Sequence, residues 1–267
     1  MPFANLGDLN FYYDIAGEGP RLLYLGLTGD DLRQSPNIFD SPLPRHFTVL
    51  ALDQRGLGQS ARPDWPYSMA GYADDAAGLL AAVGWPSARV LGVSFGGMVA
   101  QELALRHPEQ VERLALACCS SGGFGGASYP LHELAGLTPA ERARRMVELD
   151  DSRRDAAWQE AHPGEFQALV DRFLTRWQVG AGEPGRAVGV RRQLEARQLH
   201  DTYNRLPEIK APTLVCGGRY DLICPPDNLA ALARSIPGAE LQVFEGGHLF
   251  LQHDPVAYPE VIRFLAG

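Results

Sequence analysis

Ser94 lies in Gly92-Val93-Ser94-Phe95-Gly96, with Gly97 next, a string that can carry a nucleophile. The short apolar run Ala88–Gly92 precedes it and a helical pattern, Phe95–Arg106, follows it. That is the context a G-x-S-x-G nucleophile elbow requires. A serine at so sharp a strand-to-helix turn takes a strained backbone, and side chains two positions to either side would collide, hence the glycines. Its hydroxyl would stand at a helix N-terminus, where the dipole favours developing negative charge.

A serine hydroxyl is a weak nucleophile until a base takes its proton, and the base needs an orienting carboxylate. In a strand–elbow–helix architecture the expected chain order is Ser, then Asp or Glu, then His. Asp221 closes Gly217-Gly218-Arg219-Tyr220-Asp221, directly after the strand-like run Thr213–Gly217. His248 closes Glu245-Gly246-Gly247-His248, after the run Glu240–Phe244. Alone, Asp221 reads as a turn carboxylate and His248 as a loop histidine. Together, in order and each at a strand's carboxyl end, they fall on the sheet edge that carries Ser94. The other histidines fit less well. His107 precedes Pro108 at a helix end, His46 precedes a strand, and His132, His162 and His200 lie in the helical middle of the chain. His253, just before Asp254-Pro255, is the one rival base.

These residues need a scaffold of alternating elements. Leu9–Ile15, Leu22–Gly26, Phe47–Leu52, Ala88–Gly92, Leu114–Cys119, Thr213–Gly217 and Glu240–Phe244 read as strands. Gly71–Val83, Phe95–Arg106, Asn228–Ile236 and Val256–Leu265 read as helices between or after them. Near-continuous apolar strands alternating with helices imply an α/β fold, a mostly parallel central sheet flanked by helices. From about Gly122 to Leu206 the rhythm changes. A glycine-rich stretch, Gly122-Gly123-Phe124-Gly125-Gly126, opens a region of helices only. Thr138-Pro139-Ala140-Glu141 is a capping box. Phe166, Leu169, Val170, Phe173, Leu174 and Trp177 recur on one helical face. The expected organisation is a core of residues 1–121 and 207–267, with a helical lid of residues 122–206 inserted between strands. The lid would lie over the carboxyl ends of the strands, where open α/β sheets bind ligands.

Composition narrows the function classes. With 24 basic and 32 acidic residues the chain carries a formal charge of −8, which disfavours nucleic acid as a partner. Lys210 is the single lysine, read as compositional bias. No apolar run reaches the ~20 residues of a membrane span, so no membrane is expected as a partner. The first residues do not read as a signal peptide. Cys118, Cys119, Cys216 and Cys224 form neither a disulfide framework nor a zinc pattern, so reduced thiols and a cytoplasmic location are expected, with no metal. The oligomeric state is not legible.

Over essentially its whole length the chain resembles the α/β-hydrolase fold family, in its lidded form. The opening Phe11-Tyr12-Tyr13-Asp14-Ile15-Ala16-Gly17-Glu18-Gly19-Pro20 and Leu22-Leu23-Tyr24-Leu25 are similar to that family's first hairpin. Asp53-Gln54-Arg55-Gly56-Leu57-Gly58-Gln59-Ser60 matches its D-x-R-G-x-G-x-S turn, with Asp53 and Arg55 as structural partners. Gly92 to Gly97 matches the elbow, Asp221 the acid and His248 the base. One stretch departs. The family usually carries His-Gly after the strand that here ends Tyr24-Leu25, and Gly26-Leu27-Thr28-Gly29 stands there instead. The resemblance implies an oxyanion hole from the N–H groups of Thr28 and Phe95. Enol-lactone hydrolases look similar here, also lacking His-Gly and carrying an Asp-Leu-Arg like Asp31-Leu32-Arg33.

The implied activity is cofactor-independent: hydrolysis of a carboxylic ester, lactone or related small acyl substrate through an acyl-enzyme on Ser94. Carbon–carbon bond hydrolysis of a ring-cleavage product uses the same triad and stays open, as does a non-hydrolytic small-molecule receptor on this scaffold. Epoxide hydrolases and haloalkane dehalogenases of this fold carry Asp at the nucleophile position, and Ser94 argues against both. Leu27, Trp158, Phe166 and Trp177 are candidates for an apolar substrate pocket. Core packing is the competing reading for the three lid aromatics.

Overall fold

A computed structural model describes residues 2–267. Eight strands form one sheet: β1 (Phe3–Leu6), β2 (Leu9–Ala16), β3 (Arg21–Leu25), β4 (Thr48–Leu52), β5 (Ala88–Val93), β6 (Val111–Ala117), β7 (Thr213–Gly218) and β8 (Glu240–Phe244). Their spatial order is β1-β2-β4-β3-β5-β6-β7-β8. The pairs β1·β2 and β2·β4 are antiparallel, and every other pair is parallel. The order reverses between β3 and β5, which opens a crevice at their carboxyl ends.

Side-chain parity builds the two faces. Leu23, Leu25, Val90, Leu114, Leu116 and Val215 face one core with α1 (Met69–Ala82), α2 (Phe95–Arg106) and α7 (Pro226–Ser235). Leu22, Tyr24, Leu91, Val93, Ala115 and Ala117 face the other, with α9 (Ala257–Ala266) and the short α8 (Phe250–His253). Between β6 and β7 the chain is helical: α3 (Pro139–Asp150), α4 (Ala156–Ala161), α5 (Pro163–Gln178) and α6 (Arg186–Gln198), with 3-10 turns before and after. The Thr138/Glu141 capping box starts α3. Toward its end this segment rejoins the sheet: Ala196, Leu206 and Ile209 belong to the α1/α2 core.

Three differences from the sequence reading have local causes. β1 was not expected; Phe3-Ala4-Asn5-Leu6 is too short and mixed to stand out, and it forms only as the edge partner of β2. β6 starts earlier than expected and stops at Ala117, because Cys118 turns the chain with φ 42°. The Asp53 and Arg55 side chains have separate partners. Asp53 accepts from the Leu32 and Gln59 N–H groups at 2.7 and 2.8 Å, while Arg55 pairs with Asp75 of α1.

Candidate active site

The elbow is held by steric exclusion. Ser94 has φ 55° and ψ −113°, a backbone that non-glycine residues rarely take. A Cβ on Gly92 would sit 2.4 Å from the Gly96 carbonyl oxygen, and one on Gly96 would sit 2.0 Å from that of Leu25. One on Gly97 would meet the Cys119 side chain at 2.6 Å. The Ser94 N–H donates to Ala117 O at 2.8 Å, which ties the turn to β6. Ser94 is therefore presented at the start of α2 on a backbone with no slack.

Asp221 and His248 converge on it. His248 Nε2 lies 2.8 Å from Ser94 Oγ, and His248 Nδ1 lies 2.7 Å from Asp221 Oδ2. The other carboxylate oxygen of Asp221 accepts from the N–H groups of Ile223 and Cys224 at 2.7 and 2.9 Å, which fixes the plane of the group. All three side chains are buried. Burial, the largest single influence on the His248 ring, disfavours its cation. The charge and hydrogen bond of Asp221, with Cys118 in hydrogen-bond reach of the same ring, outweigh burial and raise the imidazole well above its usual pKa. His253, the rival base, sits instead on α8 beside Arg154.

Three residues that the sequence reading passed over contribute to this arrangement. Asp150, at the end of α3, accepts from the His248 N–H through its carbonyl at 2.7 Å and from the Leu249 N–H through Oδ1 at 2.9 Å. Its neighbour Leu149 accepts from the Leu222 N–H at 3.1 Å, so one helix end braces both the Asp221 and the His248 loops. Cys118 follows the Val93↔Ala117 pair of the β5·β6 register, which puts it beside Ser94. That register was the available signal for Cys118. Gln193 is the third and holds the loop after β3.

That loop is braced from the helical insertion. The Gly29 N–H donates to Gln193 Oε1 at 2.9 Å, and Arg186 Nη2 donates to Gly29 O at 3.3 Å. Arg176 reaches Asp30 at 3.3 Å and Gln34 Oε1 at 2.7 Å. In Asp31-Leu32-Arg33 the arginine folds back on Asp31, with Nε and Nη2 at 2.9 and 2.7 Å, and also pairs with Glu183. The Thr28 hydroxyl is buried with no protein partner. Leu27 is half-buried next to it and packs on the α9 face of the sheet. Trp158, Phe166 and Trp177 lie elsewhere: with Val147 and Val170 they form the insertion's own small core between α3, α4 and α5. Trp158 stacks on His162 and Trp177 lies under Arg142. Among the described residues no three His, Cys, Asp or Glu side chains group as a metal site would need, and no helix is long and apolar enough to cross a membrane.

A family model described as the alpha/beta hydrolase fold matches residues 26–255. The chain belongs to the α/β-hydrolase family. It is 30% identical to a protein of Azorhizobium caulinodans, provisionally named the carbamate hydrolase RutD, over 100% of this chain and 98% of that one. A 2-hydroxymuconate semialdehyde hydrolase of Pseudomonas putida is 35% identical over 75% of this chain and 70% of its own length. Among solved structures, the enol-lactonase of Burkholderia xenovorans LB400 superposes with a TM-score of 0.80 at 25% identity, covering 100% of both chains. This α/β-hydrolase is an enzyme of hydrolysis, as are these relatives.

Proposed function

We propose that the protein cleaves a small carboxylic ester or lactone through an acyl-enzyme on Ser94. The observation that carries this reading is the unbroken hydrogen-bonded chain from Ser94 through His248 to Asp221, ending on a serine in a strained elbow. Ser94 Oγ attacks the acyl carbon as His248 Nε2 takes its proton. Asp221 keeps the remaining ring proton on Nδ1 and stabilises the imidazolium. The N–H groups of Phe95, at the first position of α2, and Thr28 receive the oxyanion, each donor contributing about 3–4 kcal/mol in comparable sites. His248 then protonates the leaving alkoxide, which in a lactone stays tethered to the acyl group. Water, deprotonated by the same ring, releases the carboxylic acid. This sequence is complete without a cofactor.

The likeness to the enol-lactonase structure, and Gly26-Leu27 in place of the family's usual His-Gly before Thr28, favour a small ester or lactone. Residues 122–206 act as a lid over the strand ends, and Leu27 lines the acyl site beside Thr28. Trp158, Phe166 and Trp177 act on the pocket through the shape of the lid core. The four buried, unpaired cysteines suit a reducing compartment such as the cytoplasm.

A second reading, hydrolysis of a carbon–carbon bond in a ring-cleavage product, is favoured by the 35% identity to the 2-hydroxymuconate semialdehyde hydrolase. A fluorophosphonate probe tests the nucleophile: labelling of the wild type and none of Ser94→Ala is expected. Labelling that survives in Ser94→Ala moves the nucleophile elsewhere. A panel of p-nitrophenyl esters, enol-lactones and a dienone ring-cleavage product separates the two reactions, and turnover of the dienone alone overturns the ester reading.

A further inference from the structure

A cavity lies between the loop after β6 and the end of α6. Its volume is about 210 Å³, and its lining includes Met98, Ser120, Ser128, His132, Arg197 and His200, but not Ser94, His248 or Asp221. Arg197 is its one buried guanidinium, with 6% of its surface exposed. Nη1 donates to the Tyr129 carbonyl at 2.8 Å, whereas Nε and Nη2 are buried and have no protein partner. No carboxylate pairs with this residue among the described residues. Burial lowers the guanidinium to about 10, against only a small opposing influence from Cys224. The group nevertheless keeps its charge at neutral pH, and a buried charge without a counter-charge is costly.

The unpartnered edge has a chemical preference. Nε–H and Nη2–H form the side-on fork that matches the two oxygens of a carboxylate. The same molecule uses this edge repeatedly. Arg33 grips Asp31 with it at 2.9 and 2.7 Å, Arg55 grips Asp75 at 2.9 and 2.6 Å, and Arg153 grips Asp151 at 2.9 and 2.7 Å. Arg197 presents the same edge with no internal acid.

Polar neighbours complete the cavity. Ser120 and Ser128 share a hydroxyl–hydroxyl hydrogen bond at 2.8 Å, which leaves one of the two protons free for an acceptor. His200 donates through Nε2 to Ser120 O at 3.2 Å, and burial lowers its pKa to about 4, so it adds no competing cation. Gln198, exposed, stands at the rim with half-buried His132.

We propose that Arg197 anchors a carboxylate-binding pocket, taking a small organic acid or the carboxylate arm of a substrate through its Nε/Nη2 edge. The ligand supplies the acid that the chain does not, and the free proton of the Ser120/Ser128 hydroxyl pair donates to one of its oxygens.

Isothermal titration of the full chain with sodium acetate and sodium succinate, against sodium chloride at equal ionic strength, tests this without turnover. Saturable one-site binding to the wild type is expected. Arg197→Met weakens it by about tenfold or more, the loss of a charge-assisted pair. Arg197→Lys keeps the charge but lacks the fork, and recovers only part. Should Arg197→Met melt early, Ser128→Leu fills the cavity with the guanidinium intact and must weaken binding too. A wild type with no saturable binding, or equal binding by wild type and variants, overturns the proposal.

A pair of esters assigns the source of the carboxylate. If it belongs to the substrate, acetate competes with monomethyl succinate and not with methyl butyrate, and Arg197→Met raises KM for the anionic ester alone. If it is a free ligand, acetate changes the rate of both esters alike. Failure of both esters to turn over tells against the hydrolytic reading and leaves the calorimetric result standing.

Discussion

The two backbone donors proposed for the oxyanion hole sit on adjacent strand ends and are held in opposite ways. Phe95, after β5, is fixed by its immediate neighbours: glycines whose replacement would drive a Cβ into backbone atoms 2.0–2.7 Å away. Thr28, after β3, sits on a loop tied by polar contacts to residues far along the chain, Gln193, Arg186 and Arg176 of the helical insertion. Sterics of backbone against backbone leave one conformation and no adjustable parameter. A hydrogen bond from Gly29 to a side chain on α6 makes one half of the site depend on where the insertion sits. The base loop shares that dependence through Asp150. In this molecule the turn that carries Ser94 is fixed by the sheet, whereas the Thr28 and His248 loops are also tied to the helical insertion.

The largest expected effect falls on the element common to both halves. His248 must be neutral to accept the serine proton, and Asp221 raises its pKa against the opposing effect of burial. Activity on a neutral ester is therefore lost as pH falls through that raised pKa, and kcat/KM rises to a plateau above it. In Asp221→Asn the plateau falls by about 10⁴-fold, because an amide can hold the wrong tautomer, and the apparent pKa moves down because the negative charge is gone. A pH–rate profile of both proteins checks this. An unchanged rate and pKa in the variant would hand the role to another carboxylate; Asp227, the nearest in sequence, is exposed on α7.

The next effect tests the stiff half. Gly96→Ala places a Cβ 2.0 Å from the Leu25 carbonyl oxygen, and neither backbone can yield locally. Overpacking of this kind costs about 1–3 kcal/mol, a fall in Tm of roughly 3–10 °C for a chain of this size. Because Leu25 leads directly into the Thr28 loop, activity falls with stability. Calorimetry beside a rate assay measures both, and a variant that melts like the wild type would show the elbow to have the slack it is said to lack.

What was legible in the sequence follows the same division. Ser94, Asp221 and His248 each lie within a few residues of a strand end and of a glycine, so short strings and chain order were enough to single out three residues that the fold brings together. The parallel sheet was legible from apolar runs, and α3 and α5 from a capping box and one apolar face. Gln193 carried no local mark. It is a polar residue within a polar helix, and its role appears only when α6 reaches a loop 164 residues earlier. Asp150 was equally silent, an acidic residue at a helix end. The aromatics of the helical insertion had the right periodicity for burial, but periodicity does not say against what. Trp158, Phe166 and Trp177 turned out to pack on one another's helices.

The adjustable half predicts a smaller, separable effect. Gln193→Leu keeps the volume of a fully buried side chain but removes the acceptor for the Gly29 N–H. The loop then loses its anchor beside Thr28. A decrease of about tenfold to a hundredfold in kcat with KM little changed is expected, short of the full loss of an oxyanion donor. Stopped-flow acylation resolves the two constants. A variant whose KM rises while kcat holds would make Gln193 a substrate contact and uncouple the loop from the insertion.

The smallest effect lies at the rim of the same clamp. Glu183 is about one-third exposed, with 34% of its side chain accessible, and it bridges Arg33 and Arg62. Hydrogen bonds from those two arginines lower its pKa to about 2. A carboxylate depressed in the folded state contributes stability above its unfolded value near 4.5 and loses it as pH falls from there toward 2. Exposure and salt reduce that contribution, so Glu183→Gln should cost less than about 1 kcal/mol at neutral pH. The difference from wild type should shrink in high salt and vanish in urea melts taken as the pH drops below 4.5 toward 2. Asp31 provides the contrast within the clamp: its side chain is fully buried, between Arg33 and Arg186. Glu183→Gln should thus leave kcat within about twofold, since Gln193 and Asp31 still hold the loop from within. A loss of kcat matching that of Gln193→Leu would mean that the rim, and not the buried contacts, sets the position of Thr28.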